Sequence, residues 1–304
     1  MKLSLLVVTF NRPADLLDLL QSVAQQEGLD DVLEEVLILD NGSVSDYSEI
    51  WAFVDRHPEL RITMRRSEVN VGYPAGRNSL MQAARGEVLL LVDDDIVFST
   101  PRDVALLAKS LETEDFRSVQ IGVVQPRVVY FDTNEIQGTA FPHKRRSPDA
   151  ETAPFLTSFF VGAAHLVKKE ALRKTGLYPV DFFYGMEEYD LSYRMIDAGF
   201  AIGYNPAVTI RHKESPHGRL ASHAKLRRQW VNKSVVAWRY LPLRYFVTTA
   251  LMWSLEYVRR ARGHPGDYLR AWRDVLRIPF VEQRKPIGRE ALAYLRRVDA
   301  RLWY

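Results

Sequence analysis

Glu87–Phe98 reads EVLLLVDDDIVF. Five apolar residues, Val88–Val92, run straight into Asp93-Asp94-Asp95. A short continuous apolar run of this kind is a strand buried on both faces. Such strands belong to parallel sheets covered by helices, and ligands bind beyond their carboxyl ends. Two carboxylates one residue apart at a strand end can share a divalent cation and a ribose. Hard oxygen donors suit Mg²⁺ or Mn²⁺, and a cation there can neutralise a diphosphate leaving group. A purely structural triplet would be an acidic turn capping a helix that begins at Pro101. That reading is the weaker one, because three consecutive aspartates repel one another unless something positive sits among them.

Outward from the triplet, strand-like and helix-like runs alternate. Leu3–Thr9, Glu35–Leu39 and Ile62–Arg65 read as strands. Pro13–Gln25, Ser48–Arg56 and Arg77–Ala84 read as helices, the first with Leu16, Leu17, Leu19, Leu20 and Val23 on one face. The rhythm predicts an α/β fold with a mostly parallel, doubly wound sheet flanked by helices. Thr9–Arg12, Asp40–Ser43 and Asp93–Asp95 all fall at strand ends and should converge on one crevice. Further on, helices are expected at Pro101–Glu112, Lys169–Thr175 and Glu188–Ala198, and strands at Gly122–Tyr130 and Phe159–Val167. Asp132–Pro154 is polar, contains His143-Lys144-Arg145-Arg146, and reads as a mobile loop. Acceptor contacts are expected between Tyr130 and Gly162, a region with no legible motif. Beyond His212 the pattern is helical, with breaks at Pro242, Gly263–Gly266, Pro279 and Pro286. The division expected is a catalytic domain over 1–220, with a nucleotide half (1–98) and an acceptor half (99–220), followed by a helical region over 221–304.

With 304 residues, 47% of them hydrophobic, the chain can bury a large core. It has no cysteine, which excludes disulfides and thiolate metal sites and fits the cytoplasm. Leu3–Val8 is too short for a signal-peptide core. Tyr240–Val258 carries Arg244 and Glu256, which argues against a membrane span. Charge is polarised: Arg211–Tyr304 holds 21 Lys and Arg against 7 Asp and Glu, net +14, while residues 1–210 hold 20 against 31, net −11. A basic tail suits an anionic partner such as lipid headgroups or a phosphorylated carrier, or it is simply a solvated helical face. Aromatics beside cations suggest membrane-interface contact for Tyr245–Arg262. Trp230 and Trp238 read instead as packing on the catalytic domain or in a homodimer contact. No nucleic-acid partner is expected.

Asp93-x-Asp95-x-Val97 also matches a phosphatase pattern of nucleophilic and acid/base aspartates. That site follows the first strand of its domain, whereas this triplet follows about the fourth. A nucleotidyltransferase would carry a glycine-rich loop after the first strand, and Thr9-Phe10-Asn11-Arg12-Pro13 has no glycine. A non-catalytic carrier-binding protein has no need of the intact acidic groups.

Four segments together carry a resemblance: VVTFNRP (Val7–Pro13), LILDNGSVSD (Leu37–Asp46), NVGYPAGRNSLMQAARGEVLLLVDDDIVF (Asn70–Phe98) and FFYGMEEYDLSYRMIDAGF (Phe182–Phe200). In this order the chain resembles family 2 inverting glycosyltransferases of the GT-A fold, most closely a rhamnosyltransferase-like branch, over roughly residues 1–240. The resemblance implies a nucleotide-sugar donor, UDP- or dTDP-linked, and a glycan, lipid-linked or small-molecule acceptor. It implies that Asp40 bonds the nucleobase, with Thr9, Asn11 and Arg12 nearby, and that Asn70, Gly72 and Arg77 help hold the donor. Asp93 would take ribose and Asp95 the metal, with His212 as a further metal or diphosphate ligand. Asp94 would point into the sheet or lie just behind the metal's direct ligands. Glu188 aligns with the family's general base, normally an aspartate, with Glu187 or Asp190 as substitutes. Without the resemblance, Glu187 and Glu188 would be helix N-terminal carboxylates favoured by the macrodipole, an effect of about 0.3–1 kcal/mol. Arg194, one turn after Asp190, reads as a structural ion-pair partner.

Overall fold

The computed structural model describes residues 1–144, 146–215, 222–261 and 263–303. Arg145 and Arg262, named above, lie outside them. The first half runs β1 (Leu3–Thr9), α1 (Pro13–Ala24), a one-turn α2 (Leu29–Val32), β2 (Leu33–Asp40), α3 (Ser48–Arg56), β3 (Ile62–Arg66), α4 (Tyr73–Ala83) and β4 (Val88–Asp93). Then come β5 (Ile96–Phe98), α5 (Asp103–Ser110), β6 (Ile121–Tyr130), α6 (Pro148–Thr152), β7 (Phe155–Thr157), β8 (Ala164–Lys168), α7 (Lys169–Thr175), α8 (Glu187–Asp197) and β9 (Ala201–His212). The chain closes with α9 (Ser222–Tyr240), α10 (Leu243–Arg260), α11 (Pro265–Val281) and α12 (Arg289–Arg297).

The sheet order is β3-β2-β1-β4-β8-β6-β9-β5, with β7 paired to β9. The parallel rhythm holds from β3 to β4. Beyond it β8 enters antiparallel to both β4 and β6, and β5 and β7 pair antiparallel with β9. Successive side chains on a strand face opposite ways, and the core divides accordingly. Leu5, Val7, Ile38, Leu90 and Val92 pack with α1, α3 and α5 on one face. Leu6, Val8, Leu37, Leu89 and Leu91 pack on the other with α4, α7 and α8. The four C-terminal helices join that second face: Trp230, Val236, Tyr240, Tyr257 and Leu295 are buried in the same cluster.

Several expectations from the sequence need correction. Helix α4 starts at Tyr73, not Arg77; Pro74 sits in its first turn, where a missing N–H costs nothing. Helix α5 starts at Asp103, whose carboxylate accepts from the Ser99 and Thr100 amides at 2.7 and 2.8 Å. Asp103 thus ties down the turn that leads into the helix, and no side chain, the acidic triplet included, caps it among the described residues. Strand β5, unseen in the sequence, follows the triplet directly. Phe159–Ala163 is not strand; only Ala164–Lys168 is. The 132–154 stretch is packed, with Gln137, Ala140 and Phe141 buried and Phe141 against Phe155 and Tyr204. Pro279 does not break α11, because it lies in the last turn. Tyr245 and Tyr257, assigned to a membrane interface, are buried; Trp230, for which packing was expected, is buried as well.

Candidate active site

The strand register assembles the site. Thr9 pairs with Asp40, Val8 with Asp93, and Ile96 with His212. Three strand ends and the tip of β9 thus meet at one edge of the sheet. A crevice of about 1060 Å³ opens there, lined by Thr9, Arg12, Asn70, Gly72, Asp93, Asp94, Glu187, Glu188 and His212, among others.

At the triplet, a carboxylate oxygen each from Asp93 and Asp95 and a ring nitrogen of His212 lie within 4.8 Å of one another. Arg12 supplies the positive charge that three aspartates require, its Nη1 lying 2.9 Å from Asp94 and 3.2 Å from Asp95. Burial pushes the Asp95 carboxyl up, but the His212 hydrogen bond and charge, Arg12 and the Ser215 amide outweigh it and hold it at about 2. Asp94 is pushed up to about 7, by burial against the pull of Arg12 and with repulsion from Asp95. Unlike Asp95, it lines the crevice, beside Arg12.

His212 Nδ1 lies 2.8 Å from Gln137 Oε1, and Nε2 lies 3.0 Å from Asp95 Oδ1. Gln137 turns its amide nitrogen to Thr139 Oγ1 (3.1 Å), so its oxygen faces the ring. A neutral imidazole has one N–H, yet both nitrogens meet acceptors. Either the ring is cationic or a cation stands where the second proton would be. Two carboxylates and an imidazole whose far nitrogen donates to a fixed oxygen are a donor set that fits Mn²⁺ or Mg²⁺.

Asp93 is held from behind. Tyr73 donates its hydroxyl to Asp93, and Arg77 Nη2 reaches Asp93 at 3.1 Å and the Gly162 carbonyl at 2.7 Å. Arg77 is 1% exposed, beneath the crevice rather than on its surface, and its Nη1 has no hydrogen-bond partner among the described residues. Asp40 is also buried; its carboxylate accepts from the Ser43 amide at 2.9 Å and lies 3.5 Å from Arg66. Asn11 sits in the left-handed region (φ +56) and accepts the Val44 amide at 2.8 Å, joining two loops. Thr9 meets the Tyr47 hydroxyl at 2.9 Å.

The N-terminus of α8 also lines the crevice. Phe183, Gly185 and Met186, just before it, all have positive φ, a strained run of the kind found at functional sites. Asn232 of α9 secures it by donating to the Gly185 carbonyl at 2.8 Å and the Tyr184 carbonyl at 3.2 Å. The turn presents Glu187 and Glu188. Burial pushes Glu188 up to about 7 against the pull of Arg77, and pushes Glu187 well up too, with repulsion from Glu188 added. A Cβ on Gly162 would stand 2.5 Å from Glu188 Oε1, so glycine there leaves room for the carboxylate. Asp190 is not available as a base. Arg194 (2.8 Å), Arg239 (3.1 Å) and the Tyr240 hydroxyl (2.9 Å) occupy both of its oxygens in a buried network.

The family model described as glycosyl transferase family 2 matches residues 4–176. The chain belongs to glycosyl transferase family 2. It is 32% identical over 146 residues to an uncharacterized glycosyltransferase of Bacillus subtilis (strain 168), covering 48% of this chain and 49% of that one. An uncharacterized protein of Haemophilus influenzae is 25% identical over 178 residues, 58% of this chain and 92% of its own length. Among solved structures, the mannosyltransferase PcManGT from Pyrobaculum calidifontis, in complex with GDP-Man and Mn²⁺, superposes with a TM-score of 0.60 at 18% identity, covering 97% of this chain and 79% of that one. S. aureus TarS 1-349 in complex with UDP gives 0.61 at 16% identity, covering 91% and 81%. These likenesses establish the mixed α/β GT-A-like fold of the family 2 chain. Among the described residues, no helix is long and apolar enough to cross a membrane.

Some site residues of this family 2 chain escaped sequence reading. Tyr73 lay within a quoted motif but ahead of the helix expected from Arg77. Gln137 came from a stretch without a pattern and Gly162 from one read as strand, and only packing places them beside His212 and Glu188.

Proposed function

We propose that this protein is a metal-assisted, inverting glycosyltransferase that moves a sugar from a nucleoside-diphosphate donor to an acceptor hydroxyl. The observation that carries this reading is one crevice lined by Asp93 and His212, with Asp95 buried behind them, and by Glu188, its carboxyl pushed up to about 7. Asp95 and His212 would hold Mn²⁺ or Mg²⁺, with Asp93 shared between the ion and the donor ribose; the ion would neutralise charge on the diphosphate. Thr9, Arg12, Asp40, Asn70 and Gly72 would form the nucleotide side, Asn11 bracing its loops. Arg77, buried, would fix Asp93 rather than touch phosphate. Glu188 would take the acceptor hydroxyl's proton while that oxygen attacks the anomeric carbon. The bond from that carbon to the diphosphate breaks, and the nucleoside diphosphate leaves with the electron pair. A carboxylate titrating near 7 is matched to that task at neutral pH.

The donor is proposed as UDP- or dTDP-linked, with a hexose or deoxyhexose. The C-terminal helices suggest contact with a bilayer. On α10, Leu243, Val247, Leu251, Leu255 and Val258 are 51–63% exposed along one helical stripe, flanked by Arg244, Arg259 and Arg260. Apolar residues at this spacing beside arginines suit an anionic lipid surface.

Thermal-shift screening of UDP-, dTDP- and GDP-sugars with and without Mn²⁺ tests the reading. One nucleotide family should stabilise the protein only with metal, by about 2.7 kcal/mol at a hundredfold excess over Kd. Asp95→Ala should remove that dependence. A fully active Asp95→Ala enzyme would sink the proposal.

A further inference from the structure

The crevice continues past Glu188 into a region that the donor groups leave unused. Its walls there are Tyr189 of α8, Lys233 of α9, Trp253, Glu256 and Arg260 of α10, and Arg301 near the C-terminus. Lys233 is 6% exposed, and its Nζ has no hydrogen-bond partner among the described residues. It lies 3.3 Å from the centroid of the Tyr189 ring, which itself stacks on Phe159 at 4.4 Å. An aromatic face attracts an ammonium but does not replace its lost water hydrogen bonds.

Among the described residues, no carboxylate answers this charge. Glu256 is taken by Arg259 at 2.7 Å and Arg260 at 3.4 Å. Glu187 and Glu188 line the same crevice, but burial favours their neutral forms. The charged neighbour that acts on Lys233 is a second cation, Arg301, which forms no ion pair among the described residues. Burial and then Arg301 lower Lys233 to about 7. Lys233 is buried and Arg301 exposed beside the same cavity, so Lys233 either gives up its proton near neutrality or keeps it when an anion offsets both charges.

We propose that Lys233 and Arg301 form an acceptor subsite that holds an anionic group of the acceptor, a phosphate or a carboxylate, beside Glu188. The group's negative charge would pair with both cations and set the acceptor hydroxyl against the base one residue from Tyr189. The subsite rests on the glycosyltransferase reading above. It narrows the acceptor to a molecule that carries its own negative charge.

The test uses the full chain with ¹³C-labelled lysine, the Lys233 ε-carbon resonance being the one missing from Lys233→Met. Inorganic diphosphate, glucuronate and farnesyl phosphate are titrated separately. At least one should move that resonance and raise its titration midpoint. Affinity for that anion should fall about ten- to a hundredfold in Lys233→Met, the loss expected for a charge-assisted hydrogen bond. A response to glucuronate marks a carboxylate acceptor, to diphosphate alone a soluble phosphate, and to farnesyl phosphate alone a lipid-linked one. If Lys233→Met fails to fold, Lys233→Arg supplies the assignment and should retain binding. An unmoved resonance with all three anions, or equal affinity in wild type and Lys233→Met, overturns the subsite. UDP binding with Mn²⁺ by the wild type is measured separately. Its failure would strike the donor reading and leave the anion result standing.

Discussion

Glu188 differs from an ordinary surface glutamate because of what has been taken away around it. Burial removes water from its carboxylate, and Arg77 returns only part of the lost stabilisation. Its pKa is raised, so below about 7 the group is protonated and cannot accept a proton. Transfer should therefore rise as pH climbs through about 7 and level off above it, in a pH–rate profile taken at saturating donor. Glu188→Gln should lose that limb and about 10²–10⁴-fold in rate while still binding nucleotide. Gly162→Ala tests the same carboxylate by crowding. Its Cβ would meet Glu188 Oε1 at 2.5 Å, and the movable partner is a side-chain end. We expect activity to fall at least about tenfold, with a melting-temperature change of under about 4 °C. The one-methylene departure from the aspartate that the resemblance implies thus belongs with a glycine placed against the carboxylate. That pairing could not be seen in sequence, because residues 162 and 188 acquire a distance only on folding.

At the scale of elements, helix α8 is placed by its neighbours as much as by its own sequence. The left-handed run before it is held by Asn232 from α9. Asn232→Ala should cost about 1–2 kcal/mol in unfolding free energy, and transfer should suffer more than stability does, as read by paired denaturation and rate measurements. The β5–β9 pairing sets His212 against the triplet, and Gln137 from an irregular stretch fixes the ring. Gln137→Leu should weaken Mn²⁺ affinity about 10–100-fold by calorimetry, the usual cost of losing a partner behind a metal ligand. The apolar run Val88–Val92 announced β4, but β5 is only three residues long and carried no signal. The 132–154 stretch looked loose because polar residues outnumber apolar ones. Its few buried residues, Phe141 above all, dock it to the sheet.

For the whole molecule, charge and apolar exposure coincide at one end. The basic C-terminal helices bury Trp230 and Tyr257 among themselves, against Tyr268 and Trp272, while α10 leaves its other stripe in water. In sedimentation assays the protein should bind vesicles containing anionic lipid better than neutral ones, and binding should weaken as salt rises. Val247→Glu with Leu251→Glu and Leu255→Glu should abolish it without lowering nucleotide affinity. The sequence by itself determined the strand-end triplet, the family and the polarity of charge, because these rest on local order and composition. Only the tertiary structure decided that Arg77 is buried behind Asp93, that Asp190 belongs to a structural network, and that Lys233 is buried with no hydrogen-bond partner among the described residues. Each of those depends on which groups lose water and which partners reach them, and a linear chain does not specify either until its helices have packed.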